Sequence, residues 1–148
     1  NIHTCVDTTG FSTQHIIEKV AKLTDTFLYD IKIIDENLHK KFTGVSAKQV
    51  LSNLLWLDQS AKDVVLRFPV IPGITDTQKN LSKVISFVKS LKNINKIDLL
   101  PYHNISNGKY TRFGKENKMK DANPITDNEM LELKMEFETI GFEVGIGG

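Results

Sequence analysis

Val64-Val65-Leu66-Arg67-Phe68-Pro69-Val70-Ile71-Pro72-Gly73-Ile74-Thr75-Asp76 decides how the rest of the chain is read. Its first half, Val64 to Pro69, is a short run rich in apolar and β-branched residues that fits a strand, and its second half is a stiff, proline-bounded exit. Leu81, Val84, Ile85 and Val88 then recur at the i, i+3, i+4, i+7 spacing of a buried helical stripe, with Asp76 placed to cap the helix. The stretch is one βα unit.

Working outward, the same alternation fills the chain. Further strands are expected near Ile2 to Asp7, Thr26 to Lys32, Lys96 to Leu100 and Phe142 to Ile146. A helix is expected from about Ser12 to Lys22 with Ile16, Ile17, Val20 and Leu23 facing inward, and a short one from Asp35 to Phe42. Ser46 with Gln49, and Thr126 with Glu129, have the spacing of capping boxes opening two more, the last of which should stop at Gly141. Alternating βα units imply an α/β fold with a parallel sheet, either closed as a barrel or open and doubly wound. Five strands are too few to close a barrel.

Composition narrows the function classes. The chain has 148 residues, 40% hydrophobic and 25% charged, enough for one core and one domain or a large piece of one. Nineteen basic against 18 acidic residues give a net charge of +1, so no bulk attraction to nucleic acid or to an anionic membrane is expected. No apolar run approaches the roughly 20 residues of a membrane-spanning helix, and a cytoplasmic protein is expected. The one cysteine, Cys5, allows neither an intramolecular disulfide nor a self-contained thiolate metal site, and reads as a small buried strand residue. Asn1 leads straight into strand-like sequence, the expected look of a cut made inside a domain.

Both parallel architectures put ligands at the C-terminal ends of their strands. There the sequence offers Asp7 with Thr8, Thr9 and Gly10, then Asp30 and Lys32, then Arg67, then His103 after Leu99-Leu100-Pro101-Tyr102. Alternation along a strand turns Asp30 and Lys32 to one face and Tyr29 and Ile31 to the other. These ends form a mouth suited to a zwitterionic, partly cationic small ligand. Each member also has a plain structural reading: Asp30 with Lys32 as an internal ion pair, Arg67 as a clamp, His103 as a loop residue. His3, His15 and His39 read as surface or packing residues. The stretch from Tyr102 to Pro124 is a long loop of the kind that carries function, its lysines Lys115, Lys118 and Lys120 interleaved with Glu116 and Asp121 as on a solvated surface.

Taken in order, Val6-Asp7-Thr8-Thr9-Gly10, Leu28-Tyr29-Asp30-Ile31-Lys32, Thr43-Gly44-Val45-Ser46, Arg67-Phe68-Pro69-Val70-Ile71-Pro72-Gly73, Leu99-Leu100-Pro101-Tyr102-His103 and Gly108-Lys109-Tyr110 resemble the radical S-adenosylmethionine activases of glycyl-radical enzymes, such as the pyruvate formate-lyase activating enzymes. The resemblance implies a partial, open (β/α) TIM-like barrel, of which residues 1–148 would be the C-terminal portion, roughly five βα units. It implies a 4Fe-4S cluster held by a Cys-x-x-x-Cys-x-x-Cys loop that this chain lacks, with S-adenosylmethionine on the fourth iron. Asp30, Ile31, Lys32, Arg67 and His103 would line the S-adenosylmethionine site, and Asp7 with Thr8 would lie near its carboxylate and a monovalent cation.

The reaction so implied is reductive cleavage to a 5′-deoxyadenosyl radical that takes hydrogen from a glycine of a partner enzyme, with flavodoxin or ferredoxin as electron donor. No side chain here need act as acid or base, and the chain alone is expected to be inactive, to bind S-adenosylmethionine weakly, and to self-associate through an open sheet edge. Two other readings stand beside this one: a Schiff-base aldolase-type barrel enzyme using Lys32, and a non-catalytic binding module. Within the family, pyruvate formate-lyase is the first partner to consider, with other glycyl-radical enzymes open.

Overall fold

The computed structural model describes residues 2–102 and 125–147. Among them, β1 (Cys5–Thr8), β2 (Thr26–Asp30), β3 (Asp63–Val70), β4 (Lys96–Pro101) and β5 (Glu143–Ile146) alternate with α1 (Gln14–Ala21), α2 (Glu36–Thr43), α3 (Ala47–Gln59), α4 (Gln78–Val88) and α5 (Asp127–Thr139). The strands form one parallel sheet in the order β1-β2-β3-β4-β5. A doubly wound sheet would reverse direction at a switch point, and this one never does. Right-handed crossovers that always advance the same way place α1, α3, α4 and α5 on the same side of the sheet, as along the arc of a barrel.

Burial follows that rule. Phe27, Tyr29, Leu66, Phe68, Val70, Ile97 and Leu99 project to the helix side and are essentially inaccessible, packed with Ile17, Leu54, Leu57, Val84, Met130, Leu133 and Phe137 from the helices. Their alternates Leu28, Asp30, Val65, Arg67 and Asp98 lie on the other face and are only half-buried. Covering one sheet face removes apolar side chains worth about 1.5–3 kcal/mol each from water, while the open face is left free to be polar. The register sets Asp30, Arg67, Asp98 and Gly145 side by side across that open face.

The expected strands and helices all form, with ends shifted by a few residues. Thr126 and Glu129 make the full capping box, each side chain bonded to the other residue's backbone, and Gly141 follows α5 in the left-handed conformation at φ 94°. Four local expectations are corrected. Ser46 is the N-cap of α3 but makes no cap bond with its side chain; Gln49 instead reaches Ser12 O at 2.7 Å, and Glu36 accepts from Lys48 N. Thr77, not Asp76, caps α4, because Asp76 accepts from Gly73 N at 2.7 Å and tightens the preceding turn. Ile16 and Leu23 are 45% and 80% exposed, and α1 buries only Ile17 and Ala21. Cys5 is exposed because alternation puts it on the open face of the edge strand β1.

Candidate functional site

Strand exits bring four of the expected charged residues into contact. Asp30 ends β2 and Arg67 is its register partner on β3, so their side chains leave the open face together. Arg67 donates from Nε (3.0 Å) and Nη2 (2.8 Å) to Asp30 Oδ1, and its Nη2 also bonds Asp7 Oδ1 on β1. Lys32 Nζ donates to the other oxygen, Asp30 Oδ2, at 2.8 Å. Asp30 is therefore shared between two cations, and Arg67 between two carboxylates.

Side-chain exposure grades across this group. Asp30 and Arg67 are 17% and 19% exposed, Lys32 is 28% and Asp7 is 60%. Burial by itself would lower the Arg67 pKa; the charges of Asp30 and Asp7 outweigh it and raise the pKa above its ordinary value, so the guanidinium stays charged. Two carboxylates and two cations sum to zero. Such a site resists a ligand of one sign and accepts one carrying both, which can exchange its own ammonium and carboxylate for the partly exposed pairs.

Beside Lys32 the exits of β1 and β2 and the α2–α3 turn enclose a cavity of about 200 Å³, lined by Thr9, Phe11, Asp30, Lys32, His39, Thr43, Val45 and Val50. Gly10 makes the β1 exit possible: at φ 69° it passes so close to Tyr29 that a Cβ would overlap the phenol. Tyr29 in turn donates its hydroxyl to Val50 O at 2.6 Å, and Asn53 Nδ2 donates to Gly10 O at 2.8 Å. The turn is held from inside, so Asp7 and Thr9 are presented by a rigid corner. Thr8 closes it further, its hydroxyl accepting from Gly10 N at 2.9 Å.

His39, expected as a surface or packing residue, is a packing residue: it is 5% exposed, and its Nδ1 meets Val45 O at 2.9 Å. A carbonyl only accepts, so Nδ1 carries the hydrogen and the ring is fixed in that orientation. The motif Thr43-Gly44-Val45-Ser46 wraps this ring. Ile31, by contrast, is brought to the neighbourhood only by its backbone: its side chain is 1% exposed in the core, on the face opposite Lys32. His103 and the Gly108-Lys109-Tyr110 motif lie outside the described residues.

The described residues contain no group of three or more His, Cys, Asp or Glu side chains able to hold a metal ion, and the sequence supplies one thiol. A thiolate-held cluster does not fit this chain's own donors.

No protein-family model matches the chain. Among curated proteins it is 40% identical to the trans-4-hydroxy-L-proline dehydratase activating enzyme of Clostridioides difficile, over 99% of this chain and 49% of that protein. It is 32% identical to the choline trimethylamine-lyase activating enzyme of Oleidesulfovibrio alaskensis (98% and 48%) and 30% identical to the pyruvate formate-lyase 1-activating enzyme of Escherichia coli K12 (97% and 59%). The chain thus spans about half the length of the curated relatives it matches. A solved domain of a pyruvate-formate lyase-activating enzyme from Bacteroides vulgatus superposes with a TM-score of 0.80 at 24% identity, covering 99% of this chain and 82% of that one. A radical SAM methyltransferase from Sphaerobacter thermophilus shares the fold at a TM-score of 0.67 and 10% identity, over 96% of this chain and 39% of that one. With relatives of three activating specificities aligned along nearly all of it, this chain is a homologue of the glycyl-radical-enzyme activating enzymes.

Proposed function

We propose that this chain is the C-terminal portion of a radical S-adenosylmethionine activase, and that its open sheet face holds S-adenosylmethionine against a 4Fe-4S cluster carried by polypeptide outside these 148 residues. The observation that carries the proposal is the Asp7–Arg67–Asp30–Lys32 chain of ion pairs, which converges at the exits of three adjacent strands in a chain homologous to activating enzymes. When bound, the cluster and S-adenosylmethionine together supply one-electron cleavage to a 5′-deoxyadenosyl radical, which takes hydrogen from a glycine Cα of the partner.

This chain's residues bind and orient. Lys32 offers an ammonium to the ligand's carboxylate end or hydroxyl groups, and Asp30 holds that ammonium in place from behind. Arg67 braces Asp30 and Asp7, so that neither carboxylate collapses onto the incoming sulfonium. Asp7, the most exposed of the four, can accept a cation, whereas Thr8 alternates to the opposite face and its hydroxyl accepts from Gly10 N. Phe11, Val45 and Val50 exclude water from one side of the ligand. His103 is proposed to approach from beyond β4.

The partner is proposed to be a glycyl-radical enzyme, with a flavodoxin or ferredoxin as electron donor. Pyruvate formate-lyase is one candidate. The 40% identity to a trans-4-hydroxy-L-proline dehydratase activase against 30% to a pyruvate formate-lyase activase keeps the dehydratase class beside it. The aldolase-type alternative draws no support from the geometry: its nucleophile must be a free amine, and Lys32 is tied to Asp30 at 2.8 Å.

The test is to express the full-length protein containing this chain, reconstitute its cluster without oxygen, and supply S-adenosylmethionine and a reductant. Release of 5′-deoxyadenosine, with a glycyl-radical electron paramagnetic resonance signal on an added partner, is expected. A reconstituted protein that releases none sinks the proposal, and borohydride trapping of a carbonyl compound on Lys32 would move the assignment to the aldolase class.

A further inference from the structure

The β2 ladder ends one residue short of where Lys32 stands. Ile31 N donates to Arg67 O at 3.0 Å, and the next parallel rung would require an amide hydrogen from Pro69, which has none. Pro69 O is itself taken by the Thr75 hydroxyl at 2.6 Å. Lys32 therefore leaves the sheet without the backbone pairing that holds Asp30 and Arg67. Its own side chain has one described partner, Asp30, and an ion pair between partly exposed groups fixes an ammonium loosely.

A side chain from the next βα unit fills this gap. Asn80, on the first turn of α4, is 3% exposed and spends its amide on three backbone groups. Nδ2 donates to Lys32 O at 2.8 Å and to Thr75 O at 2.9 Å, and Oδ1 accepts from Ile34 N at 3.1 Å. The two bonds to Lys32 and Ile34 straddle Ile33, which is 3% exposed. The segment is gripped as a strand neighbour would grip it, one carbonyl and one amide two residues apart. Only a primary amide brings two donors and an acceptor on so short a stem; aspartate keeps the acceptor and loses both donors.

We infer that Asn80 is a positioning residue for Lys32: its amide takes over from the sheet where Pro69 interrupts the ladder, and sets where the Lys32 ammonium stands in the mouth. The inference rests on the reading that Lys32 contacts S-adenosylmethionine. The plainer account is that Asn80 seals buried backbone groups and contributes stability alone. A second buried hub allows the two to be separated. Asp58 is also 3% exposed and accepts from Lys92 N, Asn93 N and Ile94 N, but it does so at the N-terminal ends of the strands, away from the mouth.

The experiment compares Asn80→Asp, the milder Asn80→Ser and the control Asp58→Asn in the full-length reconstituted protein. S-adenosylmethionine dissociation constants are measured alongside melting temperature. All three variants are expected to melt lower, while only the Asn80 pair weakens S-adenosylmethionine binding, by roughly tenfold. In a Lys32→Ala background the Asn80→Ser change should then cost no further affinity, because the group it positions is gone. Asn80 variants that bind as tightly as Asp58→Asn, or that lose the same affinity with Lys32 already removed, overturn the inference and leave the proposed function standing. Wild-type protein that does not bind S-adenosylmethionine overturns both. If Asn80→Asp does not fold, Asn80→Ser and the Lys32→Ala double variant decide by the same criteria.

Discussion

The two rims of the sheet use carboxylates in opposite ways. At the N-terminal rim they are spent mainly on the backbone and on hydroxyls: Asp58 accepts from three successive N–H groups, Asp25 from Thr4 N and the Thr4 hydroxyl, and Asp63 from the Thr26 hydroxyl beside a longer ion pair to Lys96 at 3.6 Å. The bond from Thr4 N is the main reason the Asp25 carboxyl sits below its ordinary pKa. At the C-terminal rim Asp7 and Asp30 meet mobile cations instead. Backbone groups cannot leave, so the first kind of bond closes the fold. Side-chain ammonium and guanidinium groups can trade one anion for another, so the second kind is available to a ligand.

The largest effect expected from attacking this contrast is at the closed rim. Asp58→Ala leaves three backbone donors unmet and should cost about 3 kcal/mol, or roughly 6–12 °C in melting temperature for a chain of this size, with ligand affinity of the folded protein unchanged. A parallel loss of affinity, seen by calorimetry, would mean the rims are not separate. Lys32→Met comes next. It should leave melting within a few degrees of wild type and reduce 5′-deoxyadenosine formation by the full-length protein by about 100-fold; retained turnover would show that the mouth is only an ion-pair cluster. Arg67→Lys preserves the charge but not the fork that reaches Asp30 and Asp7 together. A loss of about 1 kcal/mol or less is expected by denaturant titration, given partial exposure.

The smallest effect belongs to Glu36, which ties α2 to the start of α3. The Lys40 ammonium, helped by bonds from Lys48 N and the Ser46 hydroxyl, draws its pKa from 4.5 down to about 2. A carboxyl with a depressed folded-state pKa adds stability above its unfolded value and loses it as pH falls toward the folded one. The difference in melting temperature between wild type and Glu36→Gln should therefore be present at neutral pH and shrink between pH 4.5 and about 2. A difference that persists unchanged through that window would assign it to packing instead.

Much of the charged cluster of the candidate site was legible because its parts are local. Asp30 and Lys32 are two residues apart, strand alternation alone puts them on one face, and Arg67 follows from the βα unit that also revealed the fold. What stayed hidden depends on neighbours distant in the chain. Nothing near Asn80 says that Lys32, 48 residues earlier, will lie against it. Cys5 was misjudged for the same reason: a strand's pattern gives which residues alternate, and only the strand order tells which face is covered and which strand is the edge.

Periodicity, caps and turn residues therefore determined the elements, their parallel α/β arrangement and the identity of the charged strand ends. These depend on contacts within a few residues, which the sequence states directly. The tertiary structure decided the strand order without a switch point, the single covered face, the sharing of Asp30 between Lys32 and Arg67, and the hold of Asn80 on the Lys32 segment. Those are outcomes of which surfaces meet, and they are settled by burial and hydrogen-bond closure over the whole molecule.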